Sequence, residues 1–543
     1  MKKERTGIRG IRINQAGYLP RAPKLAVVEA PPVEEFELRT IGEEVIWKTV
    51  LRKKLMRCDG RTVADFSEIT APGDYCVVCG ERGGDYRENS GDGYESYYFV
   101  IRPEVYDPSA RLMAEYFRWQ RCGSELGWAG RCHQDPVPLV GTGRFLDMRG
   151  GYHQSCDLRC WSDGISLSLL GLLHFAEREH PPWDRGQLAE ELRWGCEYFL
   201  KLIAPEGFLY DSQFVPIGWG PRDYYNVPAN LGAHCNTVLL LAGAARCFRE
   251  FDPNFARRCE EGARKIHRFL EDPENFRTPY VPPVKNLPRG TQGEHFYFQS
   301  TRDSAGGLCG RIAAALALGA REIAFALVLQ LLELLTPEGY FRQDAASAEA
   351  GFSDCSYGHA GTGDFVLFDL LEAGFDQPEK LVESVAACAA FQERLLAEAG
   401  WESIPRFFFD SSVGENRTQQ GSGSVRALHS AIFWLRAARL LEKPKYREYA
   451  QRCFDWIFGA NPEEASYITG VGYNQKRNPV FGQFFPCTPQ IPGGIHHVMN
   501  GEYDMPSVGM ALWAVALFKQ EMGGCETGSS GALADDGGAG KCE

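Results

Sequence analysis

Between residues 106 and 520 the chain carries about a dozen helical segments of two alternating kinds, and this alternation restricts the fold more than any other feature. DPNFARRCEEGARKIHRFLED is one kind: Asp252 stands as N-cap and Pro253 in the first turn. Its apolar residues Phe255, Cys259, Ile266, Phe269 and Leu270 fall mostly on one stripe, which predicts an outer, half-exposed helix. KPKYREYAQRCFDWIFG has the same pattern, with Tyr446, Tyr449, Cys453 and Trp456 on one face. GISLSLLGLLHFAERE and TVLLLAGAARCF are apolar nearly all round and are predicted to be buried. Buried helices alternating with half-buried ones predict two concentric layers, a toroid or (α/α) barrel, rather than a simple bundle. No close repeat supports a solenoid.

Upstream the character is different. From residue 10 to about 102, KLAVVEA, FELRTI, EEVIWKTVL, DYCVVC and SYYFVI are short, β-rich and separated by turn residues. They predict a small β-sandwich of immunoglobulin-like size, although a barrel would leave the same trace. The expected organisation is multidomain: an all-β domain over 8–103, an all-α domain over 106–520 and a Gly- and Ser-rich tail over 521–543 too polar to pack.

The net charge of −13 argues against a nucleic-acid partner, which calls for a basic face. No uninterrupted apolar run of about 18 residues occurs, so no membrane span is expected. The basic start, MKKER, is not followed by an apolar stretch as in a signal peptide. A cytoplasmic location is the expectation, or secretion if a leader has been removed. In that setting the 18 cysteines read as reduced thiols or metal ligands rather than a disulfide framework.

The residues suited to chemistry lie in long loops: WGPRDYYN, FFFDSSVGENRTQQGSGS, YITGVGYNQKRNPVFGQFFP and PGGIHHVMNGEYDMP. These place the aromatics Trp219, Tyr224, Phe407, Phe481 and Phe485 among amides and carboxylates. Aromatic rings stack on the apolar faces of sugars, and amides and carboxylates bind hydroxyls. Glycoside hydrolysis uses two carboxyl groups flanking the scissile bond, and Asp157 and Glu502 are candidates; a solvated surface role is the alternative for any loop carboxylate. Separately, Cys122, the adjacent Cys132–His133 and His153 form a Cys₂His₂ set. Such a set has the ligand chemistry of structural zinc, or consists of reduced core cysteines and hydrogen-bonded histidines.

Several stretches occur in the order of a known family. IRINQAGYLPRAPKLAVV and VADFSEITAPGDYCV resemble an N-terminal immunoglobulin-like domain. YFRWQRCGSEL with the following CH, GGYHQSCDLR, DWIFGANPEEASYITGVGYN, PGGI and NGEYDMPSV follow in the helical part. Together they resemble glycoside hydrolase family 9, the cellulase family whose members often carry that N-terminal domain. The resemblance implies an (α/α)6 barrel and inverting hydrolysis of β-1,4-linked glucan or related oligosaccharides. It makes Asp157 the base that activates water and Glu502 the acid that protonates the departing oxygen, about 6.5–9.5 Å apart. It also implies a structural zinc on Cys122, Cys132, His133 and His153. Calcium sites are common in the family, but no ligands for one are assigned here.

This chain departs from the family pattern. Gln154 replaces an aspartate that helps hold the attacking water, and Cys156 replaces a glycine. The His-x-Arg sugar-binding motif is missing after Tyr473–Asn474, where Arg477 is a substitute charge. Trp219, Tyr224, Arg477 and Tyr503 are the expected substrate contacts. These changes count against ordinary cellulose as substrate. Two rival readings are an exo-acting β-glucosidase or glucosaminidase of the same fold and a non-catalytic carbohydrate-binding descendant. The oligomeric state is not predicted.

Overall fold

The computed structural model describes residues 10–29, 31, 33–41, 47–80, 94–138, 145–147, 149–155, 160–178, 185–211, 227–228, 230–277, 301–350, 363–401, 404–410, 412–419, 423–476, 491–496, 503 and 505–523. The N-terminal strands are β1 (Ile11–Arg12), β2 (Leu25–Val28), β3 (Glu35–Ile41), β4 (Trp47–Lys54), β5 (Met56–Cys58), β6 (Arg61–Asp65), β7 (Gly73–Cys79), β8 (Tyr94–Glu95) and β9 (Phe99–Ile101). They form two antiparallel sheets, in the orders β1-β2-β6-β5 and β4-β3-β7-β8, with β9 also on β7. Strand alternation dictates the layering. Phe36 and Leu38 of β3 point inward, while Glu37 pairs with Arg39 and Arg52 on the outer face. The two inner faces share one core in which Phe99 meets Tyr18 at 5.5 Å and Phe66 at 5.4 Å.

The helices are α1 (Asp107–Trp119), α2 (Ser162–Arg178), α3 (Arg185–Leu202), α4 (Leu231–Phe248), α5 (Pro253–Glu271), α6 (Ala305–Ala317), α7 (Arg321–Glu333), α8 (Gly363–Glu372), α9 (Pro378–Ala399), α10 (Ser424–Leu440), α11 (Pro444–Ile457) and α12 (Met505–Met522). The even-numbered helices close a ring: α2 packs on α4, α4 on α6, α6 on α8, α8 on α10, α10 on α12, and α12 on α2. The odd-numbered helices lie outside it, giving an (α/α)6 barrel. At the tightest inner contact, a Cβ on Gly171 would lie 2.1 Å from the Gly509 carbonyl oxygen, so α2 and α12 touch backbone to backbone.

The two predicted kinds of helix take the predicted layers. Asp252 caps α5 by accepting from the Phe255 amide at 3.0 Å. The exposed face of α5 carries the pairs Arg257–Glu261 and Arg264–Glu260. Among the described residues one helix, Leu231–Phe248, is long and apolar enough to cross a membrane. It is an inner helix, and 78 % of it is buried in the protein.

α11 departs from expectation. Beyond its apolar stripe, Gln451, Arg452 and Asp455 are buried too, because the β-sandwich covers the face expected to meet solvent. Asn14 donates to Asp455 Oδ1 at 2.7 Å, and Arg452 pairs with Asp59 at 2.9 Å. Trp401, before α10, packs on Val27 and Val63 of the sandwich. The FFFDSS loop also differs. It forms a hairpin, Arg406–Asp410 with Glu415–Gln419, whose Phe407 packs on Tyr340 and Phe391. At the C-terminus α12 continues to Met522, past the boundary expected at 520.

Candidate functional site

Connections in the barrel are unequal. Each inner helix passes to the next outer one by a short turn, such as 249–252, 318–320 or 441–443. Each outer helix returns to an inner one through a long connection, such as 120–161, 203–230 or 458–504. The long segments therefore gather at the N-terminal ends of the inner helices, where unsatisfied backbone N–H groups point outward.

Hydrogen bonds tie these ends to the loops. Asn230 caps α4 through Ala233 N at 2.8 Å and donates to Asp163 in the first turn of α2 at 3.2 Å. Ser424, which opens α10, donates to the His496 carbonyl at 2.7 Å. Met505 N, which opens α12, donates to the Gln154 carbonyl at 3.0 Å. Gln154 is 7 % exposed, and its Oε1 has no hydrogen-bond partner among the described residues.

The segment after α11 is folded back on itself. Ile468 pairs with Ile495, His496 pairs with Tyr503, and the His496 ring meets Thr469 Oγ1 at 3.0 Å. Tyr503, expected to contact substrate, is 5 % exposed. Its hydroxyl accepts from Ile491 N at 2.8 Å, and its ring packs on Tyr116 and His496. With the ring enclosed, its position is one of fixing the loop rather than offering an open stacking face. Asp157, Glu502, Trp219, Tyr224 and Arg477 lie outside the described residues.

The Cys₂His₂ set comes together. After α1 the chain pairs with residues 151–153: Cys122 N donates to Gly151 O at 2.9 Å and His153 N to Gln120 O at 2.8 Å. A turn then returns Cys132 and His133, the latter with a left-handed φ of 51°. Cys122 Sγ lies 3.8 Å from Cys132 Sγ and 3.1 Å from His133 Nδ1, and Cys132 Sγ lies 3.2 Å from His153 Nε2. All four donor atoms fall within 4.8 Å of one another. Two thiolates on a tetrahedral ion with bonds of about 2.3 Å stand about 3.8 Å apart, the separation found here. The imidazoles sit somewhat closer, at hydrogen-bonding distance. Hydrogen bonds from Cys122 and both histidines hold the Cys132 thiol well below its ordinary value, while burial pushes Cys122 up. The cluster can hold a metal ion.

Sequence reasoning missed several groups around these residues. The Cys160 thiol is also within hydrogen-bonding reach of Cys122. Beneath the cluster Arg121 forms a buried bidentate pair with Glu191, both contacts at 3.0 Å, and Tyr152 donates to the same carboxylate. Gln15, in the INQAGY stretch of the sandwich, reaches the TGVGYN loop. Its Oε1 accepts from Tyr473 N and Asn474 N, each at 2.9 Å, and its Nε2 donates to Glu464 O at 2.8 Å. The amide in INQAGY was a visible signal, but its target lies more than four hundred residues away.

Comparison with known proteins agrees with this architecture. Residues 106–481 match the profile of glycosyl hydrolase family 9, and residues 8–83 match that of the cellulase N-terminal ig-like domain. A cellodextrinase of Butyrivibrio fibrisolvens is 22 % identical over 509 residues, 86 % of either chain. A xyloglucan-specific endo-beta-1,4-glucanase of Bacteroides ovatus is 23 % identical over 86 % of this chain and 82 % of its own. The crystal structure of a single-mutant thermostable endoglucanase from Alicyclobacillus acidocaldarius superposes with a TM-score of 0.67 at 20 % identity, covering 94 % of this chain and all of that one. The family profile spans more than half of the sequence, so the chain belongs to glycosyl hydrolase family 9: it is a cellulase-like glycoside hydrolase with an N-terminal immunoglobulin-like domain.

Proposed function

We propose that this enzyme cleaves β-1,4-linked glucans or related oligosaccharides with inversion, using Asp157 as base and Glu502 as acid. The hydrogen bond from Met505 N to Gln154 O carries this reading. Asp157 follows Gln154 by three residues and Glu502 precedes Met505 by three, so the chain allows the Cα of each to be at most about 11 Å from the residue that makes this bond. Asp157 takes one proton from a water whose oxygen attacks the anomeric carbon. The bond to the departing sugar breaks, and Glu502 gives its proton to that oxygen. The relatives' names, cellodextrinase and endoglucanase among them, support a β-1,4-glucan or an oligosaccharide as substrate. Asp157→Asn and Glu502→Gln are each expected to lower turnover by about a thousandfold on a panel of β-linked oligosaccharides. NMR of fresh product should show the inverted anomer; full activity in either variant, or a retained anomer, overturns the assignment.

The metal we assign is zinc, held by Cys122, Cys132, His133 and His153. Four protein ligands leave no position for a reacting water, so zinc here ties the turn before Gln154 to the end of α1. A related family 9 endoglucanase is described as a Zn-binding mutant, which supports the choice. Purified protein is expected to retain one equivalent; less than about half an equivalent after gentle purification counts against a tight structural site.

A further inference from the structure

We propose that Tyr473, braced by Tyr97 and Gln15 of the sandwich, is a stacking platform for a sugar ring of a β-1,4-linked glucan, a binding site built at the seam of the two domains. This rests on the reading above of such glucans as substrate. Tyr473 is 62 % exposed, and a single exposed aromatic calls for no explanation in itself. Its support does. The ring lies parallel to Tyr97, with centroids 5.5 Å apart and planes 3° apart. Tyr97 is fixed in turn. It packs on the sandwich core, and its carbonyl accepts from the Ser96 hydroxyl, which itself accepts from the Val77 amide. With Tyr97 against one face, the exposure of Tyr473 belongs to the other face and the edge.

The backbone under the ring is held as firmly. Gln15 is buried, its Oε1 takes both the Tyr473 and the Asn474 amides, and its own backbone amide donates to Phe458 O at 3.0 Å. The side chain fills a cradle that two glycines leave open. A Cβ on Gly459 would stand 2.5 Å from Nε2, and one on Gly472 would stand 2.8 Å from Oε1. An exposed ring is thus ordered before anything binds it, which spares a ligand that cost. A β-1,4-linked glucan is a flat ribbon whose rings present apolar C–H faces, the surface that an open aromatic face covers. Its hydroxyls need polar neighbours. Glu464, paired with Arg12 at 3.7 Å, stands near enough to Tyr97 to join burial in raising its phenol. Tyr473 belongs to the 458–504 connection, at the end of the barrel where the long connections gather.

Affinity electrophoresis in hydroxyethylcellulose, with steady-state kinetics on that polymer and on p-nitrophenyl β-cellobioside, tests the platform. Tyr473→Ala is expected to weaken retardation and to raise KM on the polymer about fivefold more than on the short substrate, the scale of one lost ring contact. Tyr473→Trp should keep both near the wild type. Tyr97→Ala and Gln15→Met, the latter keeping the volume but not the amide, should each repeat the polymer-selective rise. Wild-type retardation and KM in Tyr473→Ala overturn the proposal, as does an equal rise in KM on both substrates. Unchanged polymer KM in both Tyr97→Ala and Gln15→Met overturns the bracing. If the wild type binds and cleaves the polymer while Tyr473→Ala matches it, only the platform fails. A wild type that neither binds nor cleaves any β-1,4-glucan removes the reading on which it rests.

Discussion

The inner ring of helices has two unlike ends. At the C-terminal ends, where turns are short, charged side chains pair across neighbouring helices. Arg436 of α10 bridges Asp369 at 2.9 Å and Glu372 at 3.0 Å, both on α8, and Arg246 of α4 reaches Glu177 of α2 at 3.2 Å. Burial alone would raise the Glu177 carboxyl, but His174 and Arg246 hold it below its ordinary value. The His174 ring in turn stacks on Trp513 of α12 at 4.0 Å. At the N-terminal ends, where connections are long, the Gln154 acceptor is left over. One end is closed by ion pairs between inner helices, and the other carries the long connections. Activity and stability should therefore separate between them.

The sharpest break in that contrast is kinetic. Glu502→Gln should lower kcat by about a thousandfold while Tm moves little, the scale of losing a general acid. Steady-state rates and a thermal melt on one preparation check it; a large fall in Tm would blur the two ends. Metal removal comes next. Chelation, or Cys132→Ala, should lower Tm by about 5 °C or more, because a structural zinc contributes folding energy directly. An unchanged melt after verified metal loss would sever the cluster from the fold.

At the closed end Arg436→Met should cost about 1–2 kcal/mol, leaving Asp369 without its partner, and should change kcat less than about twofold. Urea unfolding and the same rate assay decide this. A matching fall in kcat would mean that the closed end also governs the cleft.

A pH-dependent effect is expected at the sandwich–α11 contact. Burial raises the Asp455 carboxyl to about 8, against the pull of Asn14 and Gln451. Between its unfolded value near 4 and about 8, the folded state holds a proton that the unfolded state has released. This group's contribution to stability is thus greatest at acid pH and declines as pH rises to about 8. Asp455→Asn should flatten that decline, so the gain in Tm over the wild type should be larger at pH 8 than at pH 5. Parallel Tm–pH curves for the two proteins would exclude Asp455 as the cause.

Much of this was legible in the residues. The Asp252 cap, the stripe on α5 and the wholly apolar α2 and α4 specify two helical layers, because capping and periodicity are local properties. The Cys₂His₂ set was visible as ligand chemistry, but four donors spread from residue 122 to 153 have no meeting point until the residues just after α1 pair with 151–153. α11 departs from its sequence pattern for the same reason. Its helix period shows one apolar stripe, and nothing within the helix announces that a separate domain will cover the polar side. Tyr503 stands beside Glu502 in the sequence, but its enclosure depends on Tyr116 and His496.

The sequence by itself determined the two kinds of helix and their layers, the two-part organisation and the family, since these follow from local periodicity and from motifs in order. Only the tertiary structure decided which polar groups end with partners. It joined Gln154 to Met505, pressed that side chain against Gly164, and brought Gln15 to the TGVGYN loop. Hydrogen bonding and steric exclusion act over a few ångströms between segments that are far apart in the chain, so they are set by the closing of the ring.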